Sequence, residues 1–328
     1  MESFIFAISA VLPLIFMVAI GYVLKRIGMI TSDFVRMANK LSFRLFLPAM
    51  LFLNVYKIEN ASNINLGYVF YAFVAVLAVF VIVAPITRFV TVEPGRRGVF
   101  LQASFRSNFA LVGVPLALAL FGERGVAAAA LLSSVSIPVF NILAVISLSI
   151  FSRGKNKTSI KKMIVAIAKN PLIIATLLGL ACVLLRGPLF AVGVGIRLSD
   201  ITVIYKVVEY LSQMATPLAL IVLGAQFEFS KVGQMKREIV LGTLIRVLIV
   251  PIIALGIAYV FFRDVFAPEQ FAALVSLFAT PVAVSTVPMA QEMDGDTVLA
   301  GQLVVWTTLL SAFTIVAISF FFRFVGIF

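Results

Sequence analysis

The chain has no histidine, one cysteine, and charged side chains at only 12% of its 328 positions. Without histidine it lacks the usual proton shuttle near neutral pH and the commonest metal ligand. A single cysteine, Cys182, excludes an internal disulfide and a thiolate cluster. In its apolar run, ATLLGLACVLL, it reads as a small apolar residue. There is no HExxH, no GxSxG, and no GxxxxGK followed by Ser or Thr; the one DxD, Asp294-Gly295-Asp296, falls in a short connection. These absences argue against a membrane-embedded enzyme. Charge is also about half the roughly 25% usual in soluble domains, which excludes an ordinary soluble enzyme, a disordered chain and a nucleic-acid-binding domain.

What is abundant is apolar surface. Hydrophobic residues make up 62% of the chain and the mean hydropathy is +1.15. A bilayer core of about 30 Å takes about 20 apolar residues per helical span. Ten such runs lie near 4–24, 41–56, 67–87, 99–121, 126–151, 170–190, 206–227, 239–262, 271–292 and 297–322. The expectation is an all-α polytopic membrane protein, with the opening MESFIFAISAVLPLIF as a retained first helix because it has no basic n-region or cleavage site. Trp306 and the 31 Phe read as packing or lipid-facing residues.

The net charge of +12 has a topological reading. Sixteen Lys and Arg fall in one set of alternate connections, including Lys25, Arg26, Arg96, Arg97, Lys231 and the basic RGKNKTSIKK loop; seven fall in the other set. The positive-inside bias then puts both termini outside and the basic loop in the cytoplasm, in a cell (plasma or inner) membrane. The lipid bilayer is one implied partner; nucleic acid is not.

The halves resemble each other. Pro13 and Gly21 in PLIFMVAIG match Pro171 and Gly179 in PLIIATLLG; LFLPAMLF around Pro48 matches MATPLALIV around Pro217. SFRSNFALVGVPLALALFGE aligns without gaps on SLFATPVAVSTVPMAQEMDGD, and a constant offset of 173 pairs Ser107 with Thr280, Gly122 with Gly295 and Glu123 with Asp296. Five spans per half is an odd number, so the second half enters the membrane inverted, the signature of a secondary transporter. The repeats run over 1–152 and 162–328, joined by the cytoplasmic loop 153–161.

In such folds ligands bind where mid-membrane helices are interrupted and backbone groups are freed. The fourth run carries Ser107, Asn108, Gly113 and Pro115 within nine residues; the ninth carries Thr280, Pro281, Ser285, Thr286 and Pro288. Proline inside a helix removes a donor and clashes with the carbonyl four residues back. Neighbouring polar side chains either cover the loosened groups or hold a ligand, and opposed half-helix N-termini would favour an anion.

The stretches RSNFALVGVPLALALFGERG, LFLPAMLF, MATPLALIVLGAQFEF and ATPVAVSTVPMAQEMDGD, in order along essentially the whole chain, resemble the auxin efflux carrier family, which includes plant auxin exporters and bacterial malonate-permease-like proteins. The resemblance implies ten helices in two inverted five-helix repeats, similar to bile-acid/sodium symporters, with helices 4 and 9 broken and crossing at the substrate site. It implies a scaffold of helices 1, 2, 6 and 7 that commonly forms a homodimer, and a transport domain of helices 3–5 and 8–10 that moves against it. Position by position, Pro115 and Pro288 (or Pro281) look like the crossover prolines, Asn108 fills the polar slot ahead of the first, and Asn141 resembles the asparagine facing the crossover. Ser285 stands where the family often has Asn, so an auxin-binding pattern does not transfer whole. The long cytoplasmic loop of many plant members is missing, and the size suits a prokaryotic member.

The charges inside the runs are few. Arg106 lies roughly 10 Å into its run at 1.5 Å per residue; it either partners a carboxylate substrate or snorkels to the cytoplasmic face. Arg44 reads as snorkelling. Arg246, in GTLIRVLIV, reads as packing or pairing. No acidic residue stands at mid-membrane. Oxygens at Asn108, Thr280, Ser285, Thr286 and Gln302 could still hold sodium, so no cofactor is implied but Na+ or H+ coupling stays open. Gln226 and Gln102 are further candidate contacts. The reading that follows is a secondary transporter of small organic anions, carboxylates such as malonate or auxin, working by alternating access with Asn108, Asn141, Ser285, Arg106 and Gln226 as substrate contacts. A sodium-coupled bile-acid-type importer is the alternative, and a channel a lesser one.

Overall fold

The computed structural model of the chain describes residues 2–57, 66–151, 164–165, 167–191 and 197–328. The basic loop 153–161 lies outside the described residues. Among those described, regular structure is helical, apart from a single antiparallel bridge between Ser107 and Val282. The helices are α1 (Glu2–Arg26), α2 (Ser32–Leu41), α3 (Leu47–Tyr56), α4 (Leu66–Val90), α5 (Pro94–Phe105), α6 (Val114–Ile150), α7 (Pro171–Ala191), α8 (Thr202–Gln226), α9 (Lys236–Leu244), α10 (Val250–Phe262), α11 (Pro268–Phe278), α12 (Thr286–Glu292) and α13 (Thr297–Phe324).

Three π turns tie some of these end to end, and each has the same cause. Ser42–Phe46 joins α2 to α3, Phe109–Gly113 leads into α6, and Ile245–Ile249 joins α9 to α10. Two residues after each turn stands a proline: Pro48, Pro115 or Pro251. Proline cannot donate to the carbonyl four residues back, and its ring would strike it. The turn ahead of it widens, and the residue before the proline donates five residues back instead: Leu47 to Ser42, Val114 to Phe109, Val250 to Ile245.

Five helices among the described residues are long and apolar enough to cross a bilayer unaided: Gly67–Val90, Phe109–Ile150, Thr202–Gln226, Gly233–Phe262 and Thr297–Phe324. The sequence has ten apolar runs, and several of them are divided in the fold. The runs expected at 99–121 and 126–151 meet at Phe121 and Gly122, whose backbone is non-helical and divides the stretch Val114–Ile150 into two helices. Gly122 has φ 57° and ψ −148°, open only to glycine. The ninth run is two short helices, α11 and α12, separated by non-helical backbone, while α7 (Pro171–Ala191) is one apolar helix of 21 residues.

Packing divides the helices. α1, α3, α7 and α8 lie against one another, while α4–α6 and α9–α13 form a second bundle that meets the first chiefly through α1 against α13 and α6. Gly21 and Gly224 allow α1 and α8 to cross backbone to backbone: a Cβ on Gly21 would stand 2.0 Å from the Ile221 carbonyl oxygen, and one on Gly224 1.9 Å from that of Val18. Gly179 also brings α7 close to α3, though less tightly, with the Phe52 carbonyl oxygen 2.8 Å from its would-be Cβ. In the second bundle Arg96 binds Glu238 at 3.2 Å and Asp296 at 3.1 Å, fastening together the starts of α5, α9 and α13.

The surface is the inverse of a soluble protein's. Phe70, Phe89, Val260, Phe261, Phe313 and Phe324 are exposed, whereas Asn39, Gln102, Asn141, Ser276, Thr280 and Gln302 are buried. A surface of that kind suits hydrocarbon rather than water.

The glycine crossing makes a stability prediction. Gly224→Ala and Gly21→Ala should each lose about 1–3 kcal/mol through overpacking, read by thermal unfolding in detergent. Gly256→Ala, with nothing within 4 Å of its would-be Cβ, should not be destabilised.

Candidate functional site

The centre of the second bundle is built where two helices stop. α5 ends at Phe105 and the chain resumes as a π turn at Phe109; α11 ends at Phe278 and α12 begins at Thr286. The two non-helical segments pair antiparallel. Asn108 N–H donates to the Pro281 carbonyl at 2.9 Å, Ala283 N–H to the Arg106 carbonyl at 3.2 Å, and Ser107 Oγ and Thr280 Oγ1 share a hydrogen bond of 2.5 Å. Val282 N–H turns outward to Thr307 Oγ1 on α13 at 3.1 Å, and that hydroxyl donates to the Leu303 carbonyl at 2.6 Å. Gly113 allows the π turn to close on α11, since a Cβ there would lie 2.8 Å from the Ser276 carbonyl oxygen.

Two arginines sit at this pairing, both buried, in different ways. Arg106 donates through Nη2 to Asn141 Oδ1 at 2.8 Å and through Nη1 to the Met289 sulfur, to which Gln102 Nε2 also turns at 3.6 Å. Among the described residues it has no carboxylate partner. Around it, Asn108 Nδ2, Asn141 Nδ2, Gln102 Oε1 and Thr286 Oγ1 are buried without a hydrogen bond. Buried polar atoms are nearly always partnered, so this concentration marks a place where a further group would be welcome. A buried, fixed cation with spare amide and hydroxyl groups can bind a small anion.

Arg246 is spent on the backbone instead. Its Nε and Nη2 donate to the Thr280 carbonyl at 3.0 and 2.8 Å, Nη2 also reaches that of Leu277 at 3.1 Å, and Nη1 that of Phe105 at 3.4 Å. The sequence left packing and pairing open for Arg246, and in the fold it pairs with carbonyls. Its partners are main-chain oxygens of other helices, which no side-chain pattern in GTLIRVLIV could announce.

The other candidates distribute as follows. Thr280 and Pro281 are at the pairing itself; Thr286 and Pro288 lie in the first turn of α12, buried; Ser285 precedes that turn, half-buried, and makes no capping bond. Pro115 is exposed beyond the π turn, where it sets that turn's geometry. Gln226 and Gln302 belong elsewhere. Gln226 ends α8 and lines a polar cavity of about 620 Å³ with Lys25, Arg26, Ser32, Glu228 and Gln291; Gln302 donates to the Glu228 carbonyl and accepts from Trp306. Arg44 is exposed and pairs with Glu292 at 3.3 Å, and nearby Asn39 donates to Gln291 at 2.7 Å, so α2 and its π turn are tied to α12. Met289 went unnoticed in the sequence because a thioether carries no charge or motif.

With this geometry in place, comparison with known proteins is informative. The model of a family described as membrane transport protein matches residues 6–319. A protein of Methanothermobacter thermautotrophicus described as an uncharacterized transporter is 24% identical over 311 residues, which is 92% of this chain and 94% of that one. Another protein so described, from Methanocaldococcus jannaschii, is 26% identical over 224 residues, 66% of this chain and 67% of that one.

Thr307 offers a test of the pairing. Thr307→Val keeps the shape and leaves the buried Val282 N–H unpaired, at a cost of about 1–3 kcal/mol. Thermal unfolding should register that loss, and Thr307→Ser should recover most of it.

Proposed function

The chain belongs to the membrane transport protein family, the family of the auxin efflux carriers, and from this we propose that it is a secondary carrier of a small organic anion, bound beside the paired interruptions and passed across the membrane by alternating access. It is a transporter and not an enzyme. The observation that carries the substrate class is Arg106: a buried cation held by Asn141 and the Met289 sulfur, with unpartnered amide groups of Asn108 and Asn141 nearby. A carboxylate there would supply the missing countercharge and accept from both amides.

Several contacts support a ten-span inverted repeat with broken fourth and ninth helices. Ser107 and Thr280 touch, as do Asn108 and Pro281, and both pairs are separated by the repeat offset of 173. Residues related by a two-fold axis that also touch one another lie beside that axis. Gly21 and Gly179, equivalent in the repeats, make equivalent crossings, α1 on α8 and α7 on α3. On this reading α1, α2, α3, α7 and α8 form the scaffold, which the family resemblance makes a homodimer surface, and the remaining helices move. The Arg44–Glu292 and Asn39–Gln291 contacts join the two bodies and would part during the movement. The polar cavity beside Gln226 lies at the end of α1 that carries Lys25 and Arg26, which the charge bias assigns to the cytoplasm, and serves as the vestibule. A sodium-coupled importer is the alternative, distinguished by loss of flux when choline replaces sodium.

Variants test the site. In proteoliposomes loaded with labelled malonate or indole-3-acetate, Arg106→Ala and Asn108→Ala should each lower flux at least about tenfold, the loss of one charge-assisted bond, while inserting and unfolding normally. Unchanged flux in both variants would remove the site assignment.

A further inference from the structure

Arg246 takes no part in holding an anion, since its donors are engaged with carbonyls, and its position explains another property. The three oxygens it binds belong to Phe105 and Leu277, in the last turns of α5 and α11, and to Thr280, two residues past the end of α11. The last carbonyls of a helix have no intrahelical donor, and each helix end carries about half a negative charge. Two such ends converge here in the buried interior, where they repel each other and Arg246 donates to all three oxygens. In interrupted-helix carriers, unwound carbonyls and half-helix C-terminal ends are what coordinates a coupling cation.

We propose that Arg246 is the resident cation of the crossing: a positioning residue whose guanidinium stands where a monovalent inorganic cation would otherwise be coordinated, and holds the two half-helix ends together. This rests on the reading of the paired interruptions as the transport site. The rest of the geometry agrees. Guanidinium is a planar fork suited to several carbonyls at once, and it stays charged in apolar surroundings better than an ammonium. Among the described residues no carboxylate pairs with it, so the charge is balanced by the helix ends alone. The π turn Ile245–Ile249, imposed by Pro251, carries Arg246 and so fixes the height at which the fork meets both ends. With the negative ends neutralised by the protein itself, the positive N-terminal side of the interruption ahead of α6 is left free for an anion.

The test needs no transported substrate, so its failure is separable from a failure of the anion reading. Thermal unfolding of the purified protein in detergent is followed in choline chloride, sodium chloride and millimolar guanidinium chloride. Wild type should be indifferent to the three salts. Arg246→Ala should unfold on the order of 5–10 °C lower in choline and recover at least half of that shift in guanidinium or sodium, because the cation enters the vacated place. Arg246→Met, which fills the space with apolar atoms, should show the loss with no recovery. If Arg246→Ala does not fold, Arg246→Lys decides: a retained charge should keep it well above Arg246→Met. The proposal is overturned if the Arg246→Ala loss is recovered by no cation, if sodium stabilises the wild type, or if Arg246→Lys is no better than Arg246→Met.

Discussion

Inside a dry protein core every backbone N–H and C=O has to find a partner, and this molecule breaks two of its helices in such a core. The rest of its centre follows from that constraint. The pairing of Asn108 with Pro281 and of Ala283 with Arg106 satisfies some of the groups released; Thr307 satisfies the N–H of Val282; Arg246 satisfies the carbonyls of Phe105, Leu277 and Thr280. What is left over, at Asn108, Asn141, Gln102 and Thr286, is concentrated around one buried cation, Arg106.

Proline and glycine supply the mechanics. Each π turn is a response to a proline two residues on, and the turn at Ile245–Ile249 delivers Arg246 to the crossing. Glycine does the opposite work, removing side chains where backbones meet: Gly21 and Gly224 between α1 and α8, Gly113 between the π turn and α11. The apolar surface and the internal polar seam are thus consequences of the same small set of residues, and they fit a bilayer better than water.

Much of this was legible in the sequence because it is written locally. Ser107, Asn108, Thr280 and Pro281 stood out as polar or helix-breaking residues in apolar runs, equivalent at an offset of 173, and in the fold they meet. Membership in the membrane transport protein family was legible for the same reason, in RSNFALVGVP and ATPVAVSTVP. What was not legible depends on distance. Arg246 sits among apolar neighbours and its partners are main-chain atoms 31 to 141 residues away. Met289 has no polar signature, and the polar cavity that Gln226 lines and the bond from Gln302 to the Glu228 carbonyl depend on residues far apart in the chain. The breaks at Arg106–Asn108, at Phe121–Gly122 and at Ala279–Ser285, which divide apolar runs into shorter helices, are set by backbone conformation rather than by hydropathy.

The most direct test is counterflow. Proteoliposomes preloaded with unlabelled malonate or indole-3-acetate are diluted into the same labelled acid, with equal sodium and pH on both sides. A carrier with one alternately exposed anion site predicts saturable uptake of one of the acids, accelerated by the same acid inside. Flux that rises linearly with concentration and ignores the internal acid, or no flux of any short carboxylate through folded protein, would contradict it.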